Sequence, residues 1–255
     1  MSSNRAVTFD GSVAGAGPLI VMIPSLGRRG TDFDMLAASL RQHGYSTLPL
    51  SGRVVPASEE QTFEDLADSV VQICGRQGAG PAYLLGHAYG QALSRCMVSR
   101  HPDAFDGLIL LACGASMLDP QMQRSLEAAT DDELARTNPS EHLGHVARAF
   151  FAPGNDPSVW SDGWSRDLAG AEMDTMLRTP FEKWRSAAHA NTLVVQGLQD
   201  AVAPPEYGRS FIAQVPSADL VEVDGAGHAL LPEQPDAIAA AVISFLDDIA
   251  GKRCG

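Results

Sequence analysis

The 255-residue chain lacks most of the features that would announce a function directly. Four cysteines, Cys74, Cys96, Cys113 and Cys254, are scattered without C-x-x-C spacing, so neither a metal site nor a disulfide framework is indicated. Cys96 and Cys113 lie in apolar stretches and read as small buried hydrophobes. Positive charge is scarce: 18 Lys and Arg against 31 Asp and Glu leave a formal net charge of −13. That balance argues against nucleic acid or an anionic membrane surface as a partner. No apolar run approaches membrane-spanning length, and the opening MSSNRAVTFDG lacks the basic and apolar regions of a signal peptide. A soluble, cytoplasmic protein is expected. A homodimer is compatible with these residues, but none of them selects it. The most telling absence is a single hydroxyl. Gly86-His87-Ala88-Tyr89-Gly90 has the form G-x-S-x-G with a methyl group at its centre.

What is present is an alternation. Strand-like runs cover Ala6–Phe9, Leu19–Ile23, Ser46–Leu50, Ala82–Leu85, Gly107–Leu111, Thr192–Gln196 and Asp219–Val223. Four of them are nearly continuous hydrophobics, as parallel strands covered on both faces should be. Amphipathic stretches lie between them: Phe33–His43, Phe63–Arg76, Gln91–Arg100, Pro205–Gln214 and Pro235–Ile249. This order predicts an α/β fold with a doubly wound, mostly parallel sheet. Residues 115–189 break the rhythm, with helical patterns and no convincing strand. They read as a helical cap inserted into a core made of residues 1–114 and 190–255. All three tryptophans, Trp160, Trp164 and Trp184, fall in that insertion with Phe150, Phe151, Phe181, Met173 and Met176. Trp160, Trp164 and Phe151 are candidates to bind substrate, although any one aromatic serves packing more often than a ligand.

An apolar strand, a glycine-bracketed turn and a helix around Ala88 supply the setting of a nucleophile elbow. Flanking glycines relieve crowding, and the N–H groups of Tyr89 and Gly90 open a helix whose positive end can stabilise an oxyanion. Further along, NTLVVQGLQDAVAPP puts Asp200 beyond one strand, and VEVDGAGHALLPEQPDAI puts His228 in the loop after the next. Near the start, PLIVMIPSLGRRGTDF places Pro24-Ser25-Leu26-Gly27 after an early strand.

Nucleophile position, acid and histidine follow in the order of the α/β hydrolases, and the chain resembles a capped esterase or lactonase of that fold. By that resemblance, Asp200 orients His228, His228 is the general base, and the N–H groups of Leu26 and Tyr89 form the oxyanion hole. Hydrolysis of a small to medium, largely apolar carboxylic ester or lactone is implied, with no metal and no organic cofactor. The pairing of P-S-L-G-R with G-H-A-aromatic-G also resembles a bacterial subgroup of hydrolase-like sequences, which implies that Ala88 is natural and Ser25 its compensation.

A methyl group cannot attack a carbonyl, nor form an aspartyl ester, so three readings stand at this point. Ser25 has taken over as nucleophile; a native serine has been replaced by Ala88; or the chain is no hydrolase. In the third case His228 and Asp200 serve a lyase or cofactor-free oxygenase, or the fold merely binds a ligand. His87 reads as structural, His142 and His145 as parts of a solvated face. Arg28 and Arg29 are expected at the surface, with a substrate carboxylate as the alternative.

Overall fold

The computed structural model describes residues 4–76, 81–114, 120–184 and 191–254, leaving aside the side chains of 120–122 and 252–254. Its strands are β1 (Asn4–Asp10), β2 (Ala14–Gly15), β3 (Leu19–Ile23), β4 (Ser46–Pro49), β5 (Ser51–Ala57), β6 (Ala82–His87), β7 (Phe105–Leu111), β8 (Thr192–Gly197) and β9 (Ala218–Val223). The helices are α1 (Asp34–Gln42), α2 (Phe63–Arg76), α3 (Tyr89–Arg100), α4 (Pro120–Ala129), α5 (Asp132–Thr137), α6 (Pro139–Phe150), α7 (Arg166–Arg178), α8 (Pro205–Gln214) and α9 (Pro235–Cys254).

Seven strands form one sheet in the order β2-β4-β3-β6-β7-β8-β9, parallel throughout except for β2 against β4. Alternation along the central strands divides the core in two. Val21, Leu84, Leu110 and Val194 point towards α2, α3 and α8, where Leu66, Leu93 and Phe211 meet them. Met22, Leu85, Ile109 and Val195 point the other way, onto Leu40 of α1 and Val242 and Leu246 of α9. Residues two apart share a face of a strand, so a strand sandwiched between helix layers needs apolar residues at every position. The expected fold class is what the chain adopts.

Two details differ from expectation. The run Ala6–Phe9 is a strand, but it lies outside the main sheet and pairs antiparallel with β5. That partner, Ser-Gly-Arg-Val-Val-Pro-Ala, carries Gly52 and Pro56, and both discourage reading it as a strand. The isolated two-stranded ribbon tolerates them, and Val7 and Phe9 still bury their side chains in the core. Helices α4 to α7 lie between β7 and β8, as the broken rhythm of the sequence suggests; the expected boundaries at 114/115 and 189/190 abut segments outside the described residues. Among the described residues no helix is long and apolar enough to cross a membrane.

Backbone packs very closely where β6 turns into α3. A Cβ built on Gly90 would stand 2.0 Å from the carbonyl oxygen of Ile23, and one on Gly86 would stand 2.3 Å from that of Gly90. Both obstacles are backbone and cannot rotate away. Gly90→Ala is therefore expected to cost about 3 kcal/mol or more, at or above the upper end of ordinary overpacking, read as a lowered midpoint in urea denaturation. A midpoint within error of wild type would contradict this packing.

Candidate active site

Ala88 connects β6 to α3 with φ +50° and ψ −107°, a backbone conformation that side-chain-bearing residues seldom take. Its N–H donates to Leu111 O at 3.0 Å and its carbonyl accepts from Gln91 N at 3.1 Å, so the turn is fastened at both ends. Strain of this kind costs on the order of 1–3 kcal/mol. Here it is held by the close approaches at Gly86 and Gly90, although the central side chain is only a methyl. Tyr89 is the first residue of α3, so its N–H has no acceptor within the helix.

The loop after β3 presses on this turn. Ser25 is 7% exposed; its carbonyl accepts from Arg28 N at 3.0 Å, and among the described residues its hydroxyl makes no hydrogen bond. Ser25, Leu26, Ala88, Tyr89 and His228 all line one cavity of about 530 Å³. The loops after β8 and β9 contribute the remaining pair. His228 Nδ1 stands 3.0 Å from Asp200 Oδ2 and 3.2 Å from Oδ1, with both residues buried. Asp200 Oδ1 also accepts from Val202 N at 2.9 Å and Ala203 N at 2.7 Å. A carboxylate accepts only, so this contact fixes the proton on Nδ1 and leaves Nε2 of the neutral ring as the basic nitrogen.

Two further residues hold His228, and one of them the sequence did not signal. Glu233 bridges four donors: Oε1 takes Ala152 N (2.6 Å) and Asn155 Nδ2 (2.7 Å), while Oε2 takes Gly227 N (2.8 Å) and Leu230 N (2.9 Å). It thereby fastens the backbone on both sides of His228. His87, read as structural, donates from Nε2 to the His228 carbonyl at 2.8 Å. Burial, with His228 close by, pushes His87 down to about 3, so it is neutral throughout the physiological range.

The cavity's other walls are largely apolar, with Trp164, Phe150, Met173, Met176 and Trp184, and carry the polar side chains of Gln91, Glu127, Thr130 and Arg166 as well. Of the aromatics expected to bind substrate, Trp164 reaches the cavity; Trp160 and Phe151 do not. They pack edge to face, ring centroids 5.4 Å apart, in a satellite core with Val146, Ala149 and Ala229. Phe150 lines the cavity instead, stacked on Trp164 at 5.0 Å and 5.9 Å from the His228 ring.

Arg28 also departs from expectation: it is 2% exposed and clamps the Ser25 loop to the inserted helices. It grips Asp32 with Nε (2.9 Å) and Nη2 (2.5 Å), gives Nη1 to Asp162 (2.8 Å) and Gly163 O (2.6 Å), and lies 4.5 Å and 5.2 Å from the rings of Trp160 and Trp164. With its donors so occupied it is unavailable to a substrate carboxylate; Arg29 is exposed, as expected. His142 is not merely solvated, since its Nε2 meets Ala129 O at 2.8 Å and ties α6 to the end of α4. Among the described residues His145 pairs only with the neighbouring Arg148 at 3.3 Å.

The sheet order, the strained turn opening α3, and the acid and histidine after successive strands define an α/β-hydrolase architecture. The chain belongs to the alpha/beta hydrolase fold family, whose model matches residues 13–235. It is similar to the polyketide synthase ThaQ of Burkholderia thailandensis, 28% identical over 251 residues, which span 92% of this chain and only 12% of that synthase. It is also similar to the pimeloyl-[acyl-carrier protein] methyl ester esterase of Neisseria meningitidis, 24% identical over 79% of this chain and 84% of the esterase. Among solved structures, a thermophilic esterase from Thermogutta terrifontis superposes with a TM-score of 0.73 at 19% identity, covering 95% of this chain and 93% of that one.

One buried acid near the site yields a pH prediction. Glu172 of α7 is 1% exposed, and its Oε2 accepts from Gly27 N at 2.7 Å. Burial pushes its carboxyl up to about 8, against only that one favourable bond. Between the unfolded carboxylate value and about 8, the folded chain thus holds a proton that the unfolded chain releases, so stability falls as pH rises through that window. Glu172→Gln removes the titration and keeps an acceptor for Gly27. Its melting temperature relative to wild type is expected to climb from pH 5 to pH 8 and then level; parallel pH profiles would contradict the assignment.

Proposed function

We propose that this chain hydrolyses a small to medium, largely apolar carboxylic ester or lactone through an acyl-enzyme on Ser25. The observation that carries the reading is the buried His228–Asp200 pair at the wall of an apolar cavity, with an unbonded serine hydroxyl and two N–H-bearing turns in the same wall. His228 Nε2 takes the Ser25 proton as Oγ bonds to the carbonyl carbon. The N–H groups of Leu26 and Tyr89 receive the negative oxygen, Asp200 stabilises the imidazolium, and His228 then protonates the departing alkoxide. Water repeats the cycle and frees the acid and Ser25. The methyl of Ala88 leaves room for the acyl group where a serine would ordinarily stand.

In this reading the inserted helices act as a cap, with Trp164 and Phe150 shaping the acyl site, and the protein works in the cytoplasm. The preserved strain at Ala88 bears on a second reading. A turn so held fits a chain in which a native elbow serine has been replaced by alanine, leaving the rest of the apparatus complete.

Two substitutions, alone and together, separate these possibilities on a panel of aryl and alkyl esters. Ser25→Ala is expected to lower kcat by at least a thousandfold with little change in melting temperature, since removing a nucleophile removes the covalent route. Adding Ala88→Ser to it should restore turnover, because the elbow already offers the position. Full activity of Ser25→Ala would remove Ser25 from the mechanism. Large gains from Ala88→Ser in an otherwise silent wild type would favour the replaced serine.

A further inference from the structure

Seven residues beyond Ala88 on α3, about 10 Å of helix at 1.5 Å per residue, stands an arginine that the reaction does not use. Arg95 is 7% exposed. It lies one turn past Gln91 and Ala92, which line the cavity. Its guanidinium carbon is 4.8 Å from the Phe211 ring centroid and 5.8 Å from that of Trp184, itself a wall of the same cavity. Unlike Arg28, it has no carboxylate partner among the described residues. Among the described residues it makes no ion pair and no hydrogen bond, and Nε is sealed from solvent without an acceptor. Burial lowers its basicity, opposed only by Cys113, whose own thiol burial pushes up to about 11 and therefore leaves neutral. Among the described residues the Trp184 indole N–H is a second buried donor with nothing to receive it.

Guanidinium holds its proton even when buried, so the positive charge persists. Two ring faces return less than an unpaired buried cation costs. An acceptor-bearing anion beside the guanidinium would satisfy it, and a planar carboxylate matches the guanidinium fork. We propose that Arg95 and Trp184 form an anion subsite, and that the substrate is an ester whose apolar chain ends in a carboxylate remote from the reacting carbonyl. This rests on the hydrolase reading for the ester but not for the anion. The helix distance suits a medium chain, with ester at Ser25 and carboxylate at Arg95.

The test compares monomethyl octanedioate with methyl octanoate on the full chain, by kcat/KM where they are hydrolysed and by calorimetric Kd where they are not. The wild type is expected to favour the anionic half-ester at least tenfold. Arg95→Met should bring the ratio to one or below while melting at or above the wild-type temperature, since an uncompensated charge gives way to an apolar side chain. Arg95→Lys should keep part of the preference. Should Arg95→Met fail to fold, Trp184→Phe retains the ring without the donor and must lower the ratio at least threefold. A wild-type ratio near one, or a ratio undiminished in the variant that folds, overturns the subsite. Binding preference without turnover would instead count against the hydrolase reading and leave the subsite standing.

Discussion

Everything in this site is referred to the backbone contact between the glycine-bracketed turn and the end of β3. Gly90 lies against the Ile23 carbonyl so closely that no side chain fits, and that contact forces Ala88 into a strained conformation. The same contact presses the Pro24–Gly27 loop onto the head of α3. Ser25 and the Leu26 and Tyr89 amides are thus gathered by main-chain geometry, before any polar side chain contributes. The energetic logic is that of a preorganised site: the cost of strain, on the order of 1–3 kcal/mol, is offset by core packing elsewhere.

Around that fixed point the mobile chemistry is tied down twice. On one side Gly27 is held at both ends, its N–H by Glu172 of α7 and its carbonyl by the N–H of Ser165, which caps α7, at 2.9 Å, while Arg28 buries itself against Trp160 and Trp164. At Gly27 φ is +66°, and a Cβ there would meet that of Ala169 at 2.9 Å, so only glycine admits the helix so near. On the other side Glu233 and His87 grip the His228 loop from its N–H groups and its carbonyl. Such partners set a ring's orientation without touching a substrate, much as outer partners orient metal ligands. The inserted helices therefore do two things at once: they wall the cavity and hold the loop that carries Ser25.

Much of this was legible in the residues. Continuous apolar runs at Leu19–Ile23 and Thr192–Gln196 read directly as buried parallel strands, and the order of Ala88, Asp200 and His228 pointed to three turns whose residues lie together in the fold. Three things were not legible, for different physical reasons. The ribbon β1–β5 was obscured because Gly52 and Pro56 weaken a strand signal that tertiary pairing overrides. The roles of Trp160 and Phe151 depended on which way two neighbouring rings turn, and composition carries no such direction. Glu233, Glu172 and Arg95 gave no sequence signal, because a charged residue's burial and partners are set by elements far away in the chain.

The decisive measurement is the site of covalent capture. Incubation with an aryl fluorophosphonate followed by peptide mass spectrometry tests the proposal that His228 activates Ser25. The account predicts one adduct per chain, on the peptide bearing Ser25, and none after His228→Ala. An adduct on another residue, or one unaffected by loss of His228, would contradict the assignment of Ser25 to the catalytic pair.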